Sequence, residues 1–419
     1  MELIDRLLQG ARERGAQAEV IYVSSRSLEF SWEKESQYGM TYFEDGCGLR
    51  VIKDGRQGFA YSNRCSEDLL DMAISSAAAS QPDPANGLPS PEPVQQLEGS
   101  YDSSVEQPRE LLLKLIEDIR SYSDGRFNLI SARSWGGYAE VTVRSTEGVD
   151  SSARYTFIGA AADANYVSES FVGPEVYEFV DSRSAGGLSV DLMMKSLSEK
   201  VELTRTRRRV DRLEGRPLVL TPKAVQELLF PLLNHAFSLE NVYRGKSPLK
   251  VGDFVGVKVT IADNPRLSGG AWSRAFDGEG LPTMEVTVIR DGAFVTPLSN
   301  TYWARKANAA ATHSSWRTFT SLPAISATYL VFDGPSAGDL SDAVFVDQVQ
   351  GVHTSNFDTG EFAVTASLAW DSEGAIREFV LSGDLRGLLA GIEGIGRDRT
   401  RYGRVVTGPL VVRGLRTSS

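Results

Sequence analysis

Apolar and polar positions follow different periods along the chain. In MELIDRLLQGARERGA, Leu3, Ile4, Leu7, Leu8 and Ala11 recur at three- and four-residue intervals, which places them on one face of a helix. The period then drops to two. AEVIYVSSRSLEFSWEKES reads as strands, and GLRVIKDGRQGFAYSN reads as a hairpin closed by Asp54-Gly55. A tight type I′ turn needs positive φ at both central residues, and Asp-Gly supplies it readily. SEDLLDMAISSAAAS returns to helical spacing. QPDPANGLPSPEPV, Gln81 to Val94, carries five prolines in fourteen residues and cannot be a regular element.

Helical spacing resumes from about Ser104 to Asp118. YAEVTVRSTEGVDSSARYTFIGAAADANY then gives two strands joined at Glu147-Gly148, and AGGLSVDLMMKSLSEKVELTRTRRR predicts one helix. Beyond VDRLEGRP the chain becomes strand-rich. PLVLT, VGVKVTIAD, MEVTVIRDGAFVTPL, ATYLVFDG, AVFVDQVQG, FAVTASLAWDSEGAIREFVLSG and GPLVVRGL are short alternating or β-branched runs. Asp291-Gly292 and Glu373-Gly374 mark two further hairpins. The helices in this half are LTPKAVQELLFPLLNHAF and LRGLLAGIEGI. Thr221 suits an N-cap and Pro222 a first helical position, while Val225, Leu228, Leu229 and Leu232 make an apolar stripe. No βαβ alternation is present, so the expectation is an α+β fold. Its N-terminal part mixes helices and hairpins, and a mainly antiparallel, strand-rich C-terminal domain with few helices follows. The expected divisions are 1–94, 95–214 and 215–419.

Charge narrows the partners. A net charge of -11 argues against nucleic acid, whose binding needs a basic face. The run TRTRRR at 204–209 is read as a solvated helix end or linker, offset by Asp211 and Glu214. No apolar run reaches the ~18 residues of a membrane span, and the N-terminal helix lacks the architecture of a signal peptide. Cys47 and Cys65 form neither a disulfide framework nor a zinc-finger spacing, and Cys47 is expected to be a small packed residue. Cytoplasmic residence follows as the default.

The chemistry is harder to find. YRGKSP offers Gly245-Lys246-Ser247, but Glu240 stands where a phosphate loop needs its first glycine. Three histidines exist: His235, His313 and His353. Glu227 and His235 are separated by roughly 12 Å along a helix at ~1.5 Å per residue, and Pro231 between them would kink it. They cannot share a metal, so His235 is expected to be a partly buried residue at a helix end. His313 lies in a polar loop with no acid nearby in sequence. His353 sits beside hydroxyls and acids in QGVHTSNFDTGEF. Asp277 and Glu279, flanked by Gly278 and Gly280, fit turn chemistry first and acid–base chemistry second.

Three blocks carry a resemblance: GLRVIKDGRQGFAYSN, IADNPRLSGGAWSRAFDGEGLPTMEVTVIRDGAF and GVHTSNFDTGEFAVTASLAWDSEGAIREFVLSGDLRGLLAGIEGIGRD. Together they resemble the TldD/PmbA family over nearly the whole chain. That family has a zinc metalloprotease subunit, the TldD kind, whose helix carries H-E-x-x-x-H and whose C-terminal region carries a cysteine. Its second kind, TldE or PmbA, shares the fold without those ligands. Here AVQELLFPLLNHAF has no histidine pair at five-residue separation, and the C-terminal tail has no cysteine. The resemblance therefore implies a TldE/PmbA-type subunit with no catalytic residue and no metal of its own, not active alone but part of a hydrolase complex. Zinc is expected in a TldD-like partner, in a heterodimer or larger assembly. The expected substrate is an extended peptide, with no nucleic acid or membrane partner.

Two alternatives stay open: an enzyme subunit of a natural-product biosynthetic complex with altered hydrolytic chemistry, using His353, Asp358 or Glu361, or a homodimeric scaffold or binding protein. KANAAATHSSWRTFTSLPAISATYLVFDG departs from the family pattern at Leu322-Pro323-Ala324 and Ala327-Thr328, which bears on the substrate-facing loop. Gly269 and Gly270, together with His353, Ser355, Asn356 and Glu361, are the expected substrate-binding positions. Phe276, Asp277, Glu279 and Gly280 follow in the same motif as the glycines. All of these also fit plain turn chemistry.

Overall fold

The N-terminal alternation builds one antiparallel sheet. In the computed structural model, which describes residues 2–210, 213–256, 259–338 and 340–418, its strands are β1 (Gln17–Glu33), β2 (Ser36–Lys53), β3 (Arg56–Ser62), β4 (Asn128–Ser145) and β5 (Asp150–Asn165). The spatial order is β3-β2-β1-β4-β5, with Val176–Ser182 completing the far edge. Because β1 bonds β2 on one side and β4 on the other, this sheet spans the expected divisions 1–94 and 95–214. The proline-rich segment leaves and rejoins it. Asp211, and Val257 and Lys258 of one expected strand, lie outside the described residues.

Strand geometry sends alternate residues to opposite faces, and here both faces are covered. Val20 and Ala18 of β1 pack with Leu7 of α1 (Glu2–Glu13) and Leu69 of α2 (Asp68–Ala79). Further along, Ala132, Ile158 and Ala160 pack with Ile116 of α3 (Arg109–Ser123) and Leu197 of α4 (Val190–Leu203). The opposite set, Ile21, Val23 and Val143, meets Phe276 and Phe319 of the C-terminal half. This explains why AEVIYV is apolar at nearly every position.

Asp54 and Gly55 have φ of 51° and 71°, and Asp291 and Gly292 have 47° and 83°, as a type I′ turn requires. Lys34 and Glu35 adopt the same left-handed pair, at 49° and 62°, without an Asn, Asp or Gly to announce it. The β1–β2 ladder, continuous from Gln17↔Ile52 to Glu33↔Ser36, enforces that turn. Cys47 is packed as expected but is also disulfide-linked to Cys65, with a Cα–Cα distance of 5.3 Å. This corrects the reading of two unrelated cysteines, since β2 and the approach to α2 become neighbours only in the fold. The basic run opens at the end of α4, with Thr204 as its C-cap and Arg205 exposed, but Arg207–Arg208 then forms a strand beside Ala375–Ile376 where a solvated end or linker was expected. Arg207 pairs with Glu378 at 2.6 Å, and Arg208 with Asp371 and Glu373.

The C-terminal half holds two larger sheets with a helix over 222–236 packed among them. Val225, Leu228, Leu229, Leu232 and Leu233 share a core with Val288 and Phe332 of one sheet and Val346 and Leu381 of the other. Most pairings are antiparallel, although Leu218–Leu220 runs parallel to Val344–Val346. The expected α+β architecture is the one observed. LRGLLAGIEGI is helical only over Leu385–Ala390, after which Ile392–Ile395 is a strand. Among the described residues no helix is long and apolar enough to cross a membrane.

Buried charges stitch the N-terminal sheet to the C-terminal half. Arg50 on β2 contacts Glu19 of β1 at 3.1 Å and Glu279 at 3.0 Å, and Arg317 pairs with Glu19. All four side chains are at most 3% exposed. Burial alone would raise the Glu279 carboxyl, but Arg50 and the Thr301 N–H, which it accepts at 2.8 Å, hold it below its ordinary value. Removing one partner of such a cluster costs about 3–5 kcal/mol because the other charges stay buried. Glu19→Gln is accordingly expected to lower unfolding free energy by about that amount in urea titrations. A loss below ~1 kcal/mol, the scale of an exposed pair, would show that the cluster does not hold the halves together.

Candidate functional site

The helix over 222–236 begins as its sequence predicts. Thr221 Oγ1 accepts the Ala224 N–H at 3.4 Å, and Pro222 occupies the first turn. Its middle is unusual: Val225–Leu229 is a π turn, in which the Phe230 N–H bonds the Val225 carbonyl. Pro231 supplies the reason. It has no N–H to give to the carbonyl of residue 227, and its ring would crowd that carbonyl in a regular α-helix. A wider turn accommodates it, and the helix continues to Ala236.

Gln226, Glu227 and Pro231 stand at the intervals of H-E-x-x-x-H, with the glutamate in place and glutamine and proline at the two histidine positions. Reading Glu227 only against His235 overlooks this register, although QELLFP displays it. The side chains are engaged elsewhere. Gln226 Oε1 accepts the Arg404 N–H at 2.7 Å. Glu227 accepts the Val349 N–H at 2.6 Å and the Tyr177 hydroxyl. Among the described residues, no group of three or more His, Cys, Asp or Glu side chains is arranged to hold a metal ion. The donors around Glu227 do not fit a catalytic zinc, which needs three protein ligands and an open position.

Glu227 belongs to a second buried cluster at the seam. Lys223 is 1% exposed and donates to Gln348 Oε1 at 3.0 Å and to the Tyr177 carbonyl, over whose ring its Nζ lies 3.7 Å from the centroid. It lies 3.9 Å from both Glu178 and Asp347, which also hold Lys200. Two cations thus face two acids before Glu227 is counted. Burial pushes the Glu227 carboxyl up to about 7, against the Lys223 cation, the Tyr177 hydroxyl and the Val349 N–H. Burial likewise lowers Lys223, despite Glu178 and Asp347.

The expected site residues are not brought together. His353 lies exposed in a short 3₁₀ turn, Val352–Thr354, and Ser355 follows with its Oγ unpaired. Asn356 Oδ1 accepts the N–H groups of Asp358 and Thr359 at 3.1 and 3.3 Å, while Glu361 accepts Thr359 Oγ1 at 3.1 Å. This is turn chemistry at the start of a strand. Asp358 meets His235, 3.1 Å away, rather than His353. His235 is the partly buried helix-end residue expected, its Nε2 3.0 Å from the Lys246 carbonyl oxygen. His313 does have an acid nearby: Glu92, distant in sequence, approaches to 3.5 Å, and Nδ1 lies 2.9 Å from the Pro282 carbonyl oxygen. Gly269 turns at a φ of 67°, and a Cβ on Gly270 would come within 2.7 Å of the Tyr329 ring. Asp277 caps its turn by accepting the N–H groups of Glu279 and Leu281, at 2.9 and 3.1 Å.

None of the expected substrate-binding positions, Gly269, Gly270, His353, Ser355, Asn356 and Glu361, lines the cavity of about 340 Å³ between the N-terminal sheet and the C-terminal half, although Asp277 does. Trp135 and Phe157 wall it from β4 and β5, Trp272 and Trp316 from C-terminal loops, and Arg183 and Arg274 also line it. Trp316 belongs to the segment that departs from the family pattern. The residues just after Gly270 were in the right motif, but their cavity exists only where distant loops meet.

Residues 214–419 match the PmbA/TldA metallopeptidase C-terminal domain, and residues 18–80 match PmbA/TldA metallopeptidase domain 1. The chain belongs to the PmbA/TldD family. It is 29% identical to an uncharacterized protein of Methanocaldococcus jannaschii, the match covering 86% of each chain. It is 22% identical to a metalloprotease PmbA homolog of Haemophilus influenzae, over 97% of this chain and 93% of that one. Among solved structures, TldE from Thermococcus kodakarensis superposes with a TM-score of 0.88 at 22% identity, covering 100% of both chains.

The Glu227 environment predicts a pH signature. Its folded pKa is about 7 against an ordinary 4.5, so between those values the native state holds a proton that the unfolded chain has released. Stability contributed by this group therefore falls as pH rises through that window. Glu227→Gln removes the effect. The stability of the variant relative to the parent should climb from pH 4.5 to about 7, by ~1.4 kcal/mol per pH unit at most, and then level off. A pH-independent difference in chemical denaturation would contradict this.

Proposed function

We propose that this chain is the TldE/PmbA-type subunit of a two-component metallopeptidase, carrying no catalytic metal and completing the peptide cleft of a zinc-bearing TldD-type partner. The observation that supports it most directly is the fate of the helix over 222–236. Gln226 and Pro231 stand at the ligand spacing, and Glu227, which would need open water beside a metal to act as a base, is enclosed between Tyr177 and Val349. Retention of the surrounding fold around this closed acid fits a structural and substrate-holding role.

A surface suited to a second chain supports the pairing. β3 covers β2 only from Cys47 to Lys53, which leaves the edge of residues 36–46 open. Tyr38, Met40, Tyr42 and Phe43 are exposed there, with Phe43 68% accessible. Exposed apolar side chains along an open edge, Tyr38, Met40 and Tyr42 on one face and Phe43 on the other, suit association with another chain, and extended peptides bind such edges through main-chain hydrogen bonds.

The decisive experiment compares peptide cleavage by this chain alone, a TldD-type partner alone, and both together, with zinc measured in each protein. Zinc should be found in the partner, and cleavage should be greatest with both chains. Stoichiometric, tightly held zinc in this chain alone would overturn the reading. Phe43→Lys should reduce co-purification with the partner while leaving the thermal midpoint within a few degrees. An unchanged yield would remove this edge from the interface.

A further inference from the structure

The seam cavity holds two cations that the fold does not pair with an anion. Arg183 is 5% exposed; its Nη1 donates to the Thr156 carbonyl at 3.0 Å and its Nη2 to the Ser273 carbonyl at 2.5 Å, while Nε has no partner. Arg274 makes two long contacts, 3.4 Å to the Ser315 carbonyl and 3.3 Å to Thr328 Oγ1. Among the described residues no carboxylate oxygen lies within 4.0 Å of either guanidinium. All the acceptors are neutral. A guanidinium cannot shed its proton in a protein, and an uncompensated buried charge costs several kcal/mol.

The acids that also line the cavity are engaged with other groups. Asp181 pairs with Arg401. Asp277 accepts the backbone N–H groups already described and Ser315 Oγ at 2.8 Å. Glu44 is exposed. The third lining arginine, Arg317, is bound to Glu19. Burial lowers both guanidiniums; Tyr155, Tyr329 and Asp181 partly offset this for Arg183, and Tyr155, Asp263 and Asp277 do so for Arg274.

The rest of the lining is mostly apolar, with aromatic side chains interspersed among aliphatic ones. Trp135 stands on β4, where Gly159 leaves room for it: a Cβ at Gly159 would meet the indole at 2.2 Å. Trp272 and Trp316 face it from the C-terminal loops. The volume of about 340 Å³ falls at the small end of ligand sites.

We propose that this cavity binds a carboxylate carried on a compact aromatic or branched apolar body, with Arg183 and Arg274 receiving the carboxylate and the tryptophans enclosing the body. A single negative charge suits a site where two free cations stand near two occupied acids, whereas a phosphate dianion would meet Asp181 and Asp277 at close range. The carboxylate has two possible sources, the C-terminal residue of a peptide or a free arylalkanoic acid. The site does not require a metal-bearing partner, so it stands or falls separately from the subunit assignment.

The test uses the full chain and its tryptophan fluorescence, with calorimetry as a second readout. The probes are 3-phenylpropionate, N-acetylphenylalanine, N-acetylphenylalaninamide, phenyl phosphate, and a hexapeptide ending in phenylalanine as free acid or amide. Free acids should bind at least about tenfold more tightly than amides, because a charge-assisted pair is lost. Stronger binding of the free-acid peptide than of the small acids assigns the site to peptide termini, and the reverse assigns it to a free acid. Arg274→Gln should weaken acid binding about tenfold or more and leave amide binding unchanged. If that variant fails to fold, the acid–amide comparison on the unaltered protein remains decisive. Equal affinities for acid and amide, tighter binding of phenyl phosphate, or no binding of any probe at millimolar concentration would overturn the proposal.

Discussion

Charge taken out of water is what the two halves of this protein must manage together. Glu19, Arg50, Glu279 and Arg317 come from β1, β2 and two C-terminal loops, and none is satisfied within its own segment. Glu178, Lys200, Lys223, Asp347 and Glu227 repeat the arrangement further along the seam. Because a lone buried charge is far more costly than a paired one, each half requires the other in one register. That constraint fixes where the second face of the N-terminal sheet lies and where the cavity opens.

The helix over 222–236 depends on the same seam. Pro231 forces the π turn, and the widened turn coincides with Glu227, whose carboxyl is then held by Tyr177 and the Val349 N–H. A side chain that chemistry would place in an open cleft becomes part of the wall between two sheets. The protonated acid leaves two cations facing two acids, so burial tolerates it near neutral pH. Family membership and this closed geometry are the observations on which the proposed subunit role rests.

The exposed edge of β2 and the cavity are separate assets. One is an unpaired ladder with Tyr38, Met40, Tyr42 and Phe43 facing solvent, suited to another polypeptide. The other is a small, partly open cavity lined by three arginines and three acids, where Arg183 and Arg274 have no carboxylate oxygen within 4.0 Å among the described residues.

Periods of two and of three to four, together with Asp-Gly turns, determined the helices and hairpins, because those features depend on neighbours in sequence. Runs of short strands without βαβ alternation pointed to the α+β architecture, and AVQELLFPLLNHAF by itself shows the absence of a histidine pair. What lies across the chain was not legible. The Lys34-Glu35 turn is imposed by a ladder rather than by its residues, the Cys47–Cys65 link joins positions that only folding brings near, and Glu92 reaches His313 from an irregular segment. His353, Ser355, Asn356 and Glu361 looked chemical because polar residues cluster there, yet three of them are exposed and the loop closes a turn. The cavity drew Trp135, Arg183, Arg274 and Trp316 from separate elements, each unremarkable in its own context. Sequence by itself decided local conformation and ligand inventory. Tertiary structure alone decided which charged groups are taken out of water and what meets them there, since desolvation is a property of the packed seam and not of any segment.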